Sequence, residues 1–225
     1  MKRIVLIGCE CSGIVRQEFR KLGHDAWSCD LQPAEDGSAY HLKDDVLVTL
    51  DHGWDLGIFH PPCTYLSSSG LHWNGRVPGR KAKTEAALRF VRQLLKAPIH
   101  RIALENPTGC ISTRIRPYDQ RIQPYQFGED ASKGTCLWLK NLPPLTGTKF
   151  IDPRMVCPCG HVFPFKILWR QCPQCGSEKA RPRWGNQTDS GQNKLGPSEG
   201  RAQDRARTYH GIAKAMADQW GQLLK

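Results

Sequence analysis

At 225 residues the chain suits one domain with a small appendage. Hydrophobic residues make up 39% of it and charged residues 24%, a balance that fills a core and excludes wholesale disorder. Lys and Arg outnumber Asp and Glu by 32 to 21, a net charge of +11, which favours a polyanionic partner; no apolar run approaches the roughly 18 residues of a membrane span, so no membrane partner is expected.

The opening segment, MKRIVLIGCECSG, has a short apolar run leading into Gly8 and Glu10. It predicts a first β-strand over 3–7 and not a signal peptide, which points to the cytoplasm. Gly8 to Gly13 reads as a turn. Val15, Phe19 and Leu22 fall at i, i+4 and i+7, one face of a helix that Gly23 stops. A strand over 26–29 ends at Asp30, and another over 55–59 ends at His60-Pro61-Pro62. Ala86, Ala87, Phe90, Val91, Leu94 and Leu95 mark a helix closed by Pro98. A strand over 101–104 then ends at Glu105-Asn106-Pro107. This rhythm predicts an α/β fold, a mostly parallel Rossmann-like sheet with helices on both faces. Ligands bind such sheets at the carboxyl ends of the strands, where Glu10, Asp30, Cys63 and Glu105 fall. After residue 145 the texture changes. Residues 151–200 hold a cysteine cluster and then a Gly/Asn/Gln/Ser-rich loop from 185 to 200. Ile212, Met216, Trp220 and Leu223 resume helical spacing. The expected organisation is therefore a main domain over 1–150, an insert over 151–200 and a C-terminal helix over 201–225 that returns to the main sheet.

Charge is uneven along the chain. Residues 1–63 carry six basic and ten acidic residues, whereas 64–101 carry eight basic residues and only Glu85, and 151–210 carry ten basic and five acidic. Most of the positive charge sits in two segments, as phosphate neutralisation by a nucleic-acid binder requires. A solvated basic surface is the plainer alternative.

Two elements can carry chemistry. In Pro61-Pro62-Cys63 the prolines fix φ and remove amide donors, so a thiol is held in a set position; an inert structural cysteine is the alternative. Glu105, at the end of a buried strand, can supply a hydrogen-bond donor if burial raises its pKa; otherwise it is a turn residue. Four of the ten cysteines form a third group, Cys157-x-Cys159-Gly160 and Cys172-x-x-Cys175-Gly176, with twelve residues between the two cysteine pairs. Four thiolates satisfy tetrahedral zinc, with His161 as a substitute for one of the first pair. A fifty-residue insert with few apolar residues needs such a metal for stability.

Taken in order, the turn at Gly8–Gly13, Asp30, Asp44-Asp45-Val46, Pro61-Pro62-Cys63-Thr64-Tyr65-Leu66-Ser67 and Glu105-Asn106-Pro107 resemble the DNA cytosine-5 methyltransferase family, in particular its short bacteriophage members. Thr135–Lys140 and Gly211–Gly221 resemble the same short members, and the likeness covers roughly residues 3–149 and 205–221. The resemblance implies a methyltransferase-type Rossmann-like domain, located in a bacterium or its phage-infected counterpart, that moves a methyl group from S-adenosyl-L-methionine to C5 of cytosine in double-stranded DNA. It makes Cys63 the nucleophile toward C6 of a flipped-out base, Glu105 the partner of the N3/N4 edge, and Lys133 the nearby basic residue, with Arg114 and Arg116 as rivals. It places the cofactor on Gly8, Glu10, Ser12, Gly13, Asp30, Asp45 and Pro61. Glu10 and Ser12 stand where the family has glycines, Thr64 replaces its Gln, and Pro107 its Val.

The stretch 64–83 is expected to close over the base, with Ser67, Trp73, Arg76, Arg80 and Lys81 on DNA. The zinc-ribbon-like insert occupies the place of the family's target-recognition domain, and Arg170, Arg181 and Arg183 are its candidate DNA contacts. A short or relaxed sequence context and a monomeric enzyme follow. Two alternatives stand beside this reading: a non-catalytic nucleic-acid-binding protein on the same fold, and a cytosine-5 methyltransferase acting on RNA.

Overall fold

The computed structural model describes residues 3–165, 171–187 and 207–224. They belong to two compact units. The first comprises Met1–Ile122, Gly134–Thr146 and Ile212–Lys225; the second comprises Gln123–Lys133 and Gly147–Gly211.

The first unit is built on seven strands: β1 (Ile4–Gly8), β2 (Asp25–Asp30), β3 (His41–Lys43), β4 (Leu56–Phe59), β5 (Arg101–Pro107), β6 (Gln120–Ile122) and β7 (Thr135–Lys140). Their order across the sheet is β3-β2-β1-β4-β5-β7-β6. All neighbours pair in parallel except β7, which runs antiparallel to both β5 and β6. The mostly parallel α/β sheet expected from the sequence is therefore present. The direction of winding reverses between β1 and β4, and at such a reversal the strand ends splay to leave a ligand crevice.

Both sheet faces are dry. Leu6, Phe59, Ile102, Leu104 and Trp138 form one cluster with Leu88, Val91 and Leu94 of helix α2 (Arg80–Leu95). The residues that alternate with them, Val5, Ile7, Ile58 and Ala103, point to the opposite face and are equally buried. Helix α1 (Ile14–Lys21) packs on β1 and β2, with Val15 and Phe19 inaccessible to solvent. Each Leu or Phe so buried contributes about 1.5–3 kcal/mol, so the strand ends are carried on a rigid platform. Leu22 departs from the expected helical face. It is the C-cap residue of α1 and 47% exposed, and the third buried residue of the helix is Arg16. The guanidinium of Arg16 donates to Ser28 Oγ at 2.6 Å and pairs with Asp36. Gly23 ends the helix, as expected, with φ of 85°.

The C-terminal helix His210–Gly221 buries Ile212, Met216 and Trp220, and Trp220 Nε1 donates to Pro143 O at 3.0 Å. Leu223, expected on its apolar face, is 41% exposed; Leu224 is the buried residue there, and its carbonyl accepts from Arg3 Nε at 2.7 Å.

The second unit contains a three-stranded antiparallel sheet, β10-β8-β9, formed by β8 (Arg154–Val156), β9 (Val162–Pro164) and β10 (Arg181–Arg183). Its core is small: Met155, Cys157, Phe163, Cys172 and Ala180. Outside that core Tyr125 stacks on Trp184 at 5.0 Å, and Asn186 exchanges hydrogen bonds of 3.0 Å with the Ser132 backbone. No helix among the described residues is long and apolar enough to cross a membrane.

Candidate active site and metal centre

In the first unit the residues singled out from sequence converge on the carboxyl ends of adjacent strands. Strand β4 stops where Pro61 and Pro62 deny it ladder donors. Cys63 then opens a single 3-10 turn, Cys63–Tyr65, and is partly exposed. Strand β5 runs beside β4 and continues to Pro107, so Glu105 and Asn106 emerge next to the proline turn. Four contacts join the two segments. Asn106 Nδ2 donates to Pro61 O at 2.7 Å, Cys110 N to Leu66 O at 2.9 Å, and Ser68 N and Oγ both to Thr108 O at 3.0 Å. Gly109 permits this approach, because a Cβ there would collide with the Leu66 carbonyl.

His60, the residue before the prolines, lies with Nδ1 3.0 Å from Glu105 Oε2, and the two side chains are only 9% and 16% exposed. Glu10, at the end of β1, is buried. Its Oε1 accepts from Val15 N at 2.8 Å and from Ser12 Oγ at 3.3 Å. Burial raises the Glu10 pKa above the ordinary carboxylate value, opposed first by the charge of His60 and then by the amides of Val15 and Arg16. A carboxylate at the expected glycine position thus satisfies orphan amides at the start of α1. Ser12 supports it, and Gly13 precedes the helix with φ of 71°.

The remaining cofactor candidates sit on the same edge. Asp30 accepts from Gln32 N at 2.9 Å, and Asp45 caps a 3-10 turn by accepting from Leu47 N at 3.0 Å. Gly8 has a packing reason of its own, since a Cβ would lie 2.6 Å from the Phe59 and Val46 side chains.

The stretch after Cys63 is more ordered than a loop. Ser68–Leu71 forms one helical turn, Ser67 bridges to Gly109, and Ser67 is buried. Arg80 donates to Thr64 O at 3.0 Å and Gly70 O at 3.3 Å, with its guanidinium 4.9 Å from the Tyr65 ring centroid. Trp73 is 44% exposed with Arg76 nearby at 5.8 Å, and Lys81 is exposed. Arg114 pairs with Glu85, and Arg116 with Asp119. Lys133 belongs to the second unit, where its ammonium lies 6.0 Å from the Tyr209 ring centroid.

Sequence reading missed Arg121. It lies in β6 across from Cys136 of β7, which in turn pairs with Asn106, and its guanidinium packs over Gly134. Burial raises the Cys136 thiol pKa; the Arg121 charge opposes this, and the Glu105 charge adds to it. A three-residue strand shows no periodicity that could have singled Arg121 out.

In the second unit Cys157, Cys159, Cys172 and Cys175 place their four Sγ atoms within 4.8 Å of one another. Cys157 Sγ lies 3.6 Å from Cys175 Sγ, and Cys159 Sγ 3.8 Å from Cys172 Sγ. Four sulfurs at about 2.3 Å from a tetrahedral ion stand about 3.8 Å apart, so the cluster fits a metal of that kind. Each motif is a tight turn. Gly160 N donates to Cys157 O at 2.9 Å and Gly176 N to Cys172 O at 2.8 Å, with φ of 89° and 70° at the glycines. Burial opposes the Cys172 thiolate, but the amides of Cys175 and Gln174 and the neighbouring thiols bring its pKa down to about 7. His161 is not needed as a ligand: the four cysteines complete the cluster, and its ring stacks on Phe163. Arg181 and Arg183 are exposed on β10. Arg170 lies outside the described residues.

No protein-family model matches the chain, and no curated protein matches its sequence. Among solved structures, it is similar to a prophage-encoded Escherichia coli protein assigned as a DNA modification methyltransferase, at 14% identity and a TM-score of 0.42 over 64% of this chain and 53% of that one. An Escherichia coli rRNA methylase gives 13% and 0.38 over 62% and 57%. The 16S rRNA methylase RmtB gives 14% and 0.35 over 62% and 56%. The chain thus spans just over half the length of these proteins, and the functional reading rests on the site's own residues.

Proposed function

We propose that the chain is a small S-adenosyl-L-methionine-dependent DNA cytosine-5 methyltransferase with a structural zinc ion. The observation that carries this reading is the joining of the Cys63 turn to the Glu105 strand end through Asn106 and Pro61. A binding protein needs neither a partly exposed thiol on a rigid turn nor a carboxylic acid fixed beside it.

Cytosine C5 is a poor nucleophile. Addition of the Cys63 thiolate to C6 makes the ring enamine-like at C5, and Glu105 hydrogen-bonds the N3/N4 edge as charge develops there. The base is reached by flipping it from the duplex. S-adenosyl-L-methionine, when bound, supplies the electrophilic methyl group. The carboxylates of Asp30 and Asp45 suit its ribose hydroxyls and adenine amino group; Asp30 closes β2 and Asp45 follows the end of the neighbouring β3. Trp73, Arg76 and Lys81 meet the nucleic acid beside the site. Cys157, Cys159, Cys172 and Cys175 would hold a zinc ion that would order the insert displaying Arg181 and Arg183.

The test is incubation with labelled S-adenosyl-L-methionine and either duplex DNA or duplex RNA, followed by digestion and identification of the nucleoside. Labelled 5-methyldeoxycytidine is expected, and Cys63→Ser abolishes it. DNA containing 5-fluorocytosine traps a covalent adduct on Cys63, because fluorine does not leave as a proton does. Label on RNA alone, or on an exocyclic nitrogen, overturns the proposal.

A further inference from the structure

The residue before the proline turn has no role in the chemistry described so far. His60 nevertheless sits between two carboxyl groups at the ends of three adjacent strands: Glu10 after β1, His60 after β4 and Glu105 on β5. Its Nδ1 is 3.0 Å from Glu105 Oε2, and its charge is the strongest influence opposing the burial of Glu10. Arg16 also acts on Glu10, from α1. An exposed histidine would gain little from such an arrangement, but here the side chain is nine-tenths buried.

We propose that His60 is a positioning residue for Glu105: its Nδ1–H donates to Oε2 and so fixes which oxygen of the carboxyl group serves the base. The inference rests on the role of Glu105 in the proposed methyl transfer. A carboxyl group that must give a proton to N3 has to carry it on the oxygen facing the ring. A donor fixed on the other oxygen enforces that choice, since two protons cannot occupy one hydrogen bond. As Glu105 releases its proton to N3, the new carboxylate keeps the charge-stabilising bond from Nδ1–H. After methyl transfer, loss of the C5 proton to solvent expels the Cys63 thiolate from C6 and N3 returns its proton to Oε1, so Glu105 ends the cycle as it began. Neutral imidazole with the proton on Nδ1 is sufficient for this role. That tautomer is the one a carboxylate partner selects.

The experiment has two arms on the full chain. In the first, histidine is labelled with ¹⁵N, His60 is assigned by comparison with His60→Asn, and the tautomer is read at a pH where imidazole is neutral. Nδ1–H is expected in the wild type, reverting to Nε2–H in Glu105→Ala. In the second, methyl transfer is measured for His60→Ala and His60→Asn, with circular dichroism as the check on folding. Loss of orientation costs on the order of 100-fold in kcat for His60→Ala with KM little changed. His60→Asn places an amide N–H near Nδ1 and restores most of that loss. Nε2–H in the wild type, or a folded His60→Ala with unchanged kcat, overturns the proposal. If the wild type transfers no methyl group to cytosine, the reading of the reaction fails by itself, and the tautomer still decides whether His60 donates to Glu105.

Discussion

The Asn106 carboxamide donates to the Pro61 carbonyl at 2.7 Å, joining the strand end that bears Glu105 to the turn that bears Cys63. Asn106 is buried, and β5 and β4 are neighbours in register, so this bond, together with the other three contacts between the two segments, ties the Cys63 turn to the strand end that bears Glu105. The distance between thiol and carboxyl group is therefore set by a sheet ladder on one side and by an amide on the other.

Removing that amide tests the relationship. Asn106→Ala leaves the Pro61 carbonyl without its donor, at a cost of about 1–3 kcal/mol. The expected outcome is a lowered melting temperature together with a loss of methyl transfer of at least about 10-fold at 25 °C, because a loosened turn misplaces the thiol. Leu94→Ala, a truncation on the buried face of α2, costs about 2–5 kcal/mol and should spare kcat where the protein is still folded. Equal activity of Asn106→Ala and the wild type would falsify the positioning role of this bond.

The sheet was legible in the sequence because its central strands are buried on both faces and end at recognisable punctuation. Gly8, Asp30, His60-Pro61-Pro62 and Glu105-Asn106-Pro107 each mark a carboxyl end, and the structure places them on neighbouring strands. The three-residue strands β3 and β6 were not legible, since three residues display no period. Arg80 shows a different limit. Composition assigns a basic residue to phosphate, whereas this guanidinium is bonded to Thr64 O and Gly70 O and holds the turn after Cys63. Residue type reports charge, and only geometry reports where the donors are spent.

Glu10 gives a prediction with a sign. Its pKa in the folded protein is raised above the usual 4.5, mainly by burial. The contribution of such a group to stability is complete below the unfolded value and is lost as pH rises through the folded value. Glu10→Gln keeps an acceptor for Val15 N and has no proton to lose. Melting temperatures of the two proteins, measured from pH 4 to pH 8, should therefore diverge in favour of the variant as pH rises. A constant difference across that range would mean that the carboxyl group titrates alike folded and unfolded.

The four-cysteine cluster predicts one zinc ion per chain by elemental analysis. Met155, Phe163 and Ala180 are the only non-cysteine members of the core beneath it among the described residues, too few to hold the fold. A structural zinc site can supply roughly 10–16 kcal/mol of apparent binding free energy. Chelation, or Cys175→Ser, should open residues 147–187 to proteolysis while His161→Ala leaves both metal content and protection intact. Retention of zinc in Cys175→Ser, or its loss in His161→Ala, would give a different ligand set.

The last prediction concerns sequence context. Of the insert's candidate contacts, Arg181 and Arg183 are exposed and described, and Arg181 already donates to Glu178 O at 3.2 Å and Ala180 O at 3.0 Å. Arg183 lies opposite Arg154, which is paired with Asp130, so it is the cation of this edge best able to reach outward. A bidentate arginine discriminates against the wrong base by only about 1–3 kcal/mol. If the proposed reaction holds, one or two such contacts should read a base or two beside the target cytosine, with the remaining affinity coming from phosphate. Binding should then fall steeply with salt, by roughly one power of the salt concentration for each phosphate neutralised. Arg183→Ala should relax the flanking preference, whereas Lys81→Ala should weaken binding uniformly across sequences and flatten the salt dependence. Bisulfite sequencing of methylated random DNA measures the preference directly. A strict site of about four or more base pairs would require more base contacts than one or two arginines supply.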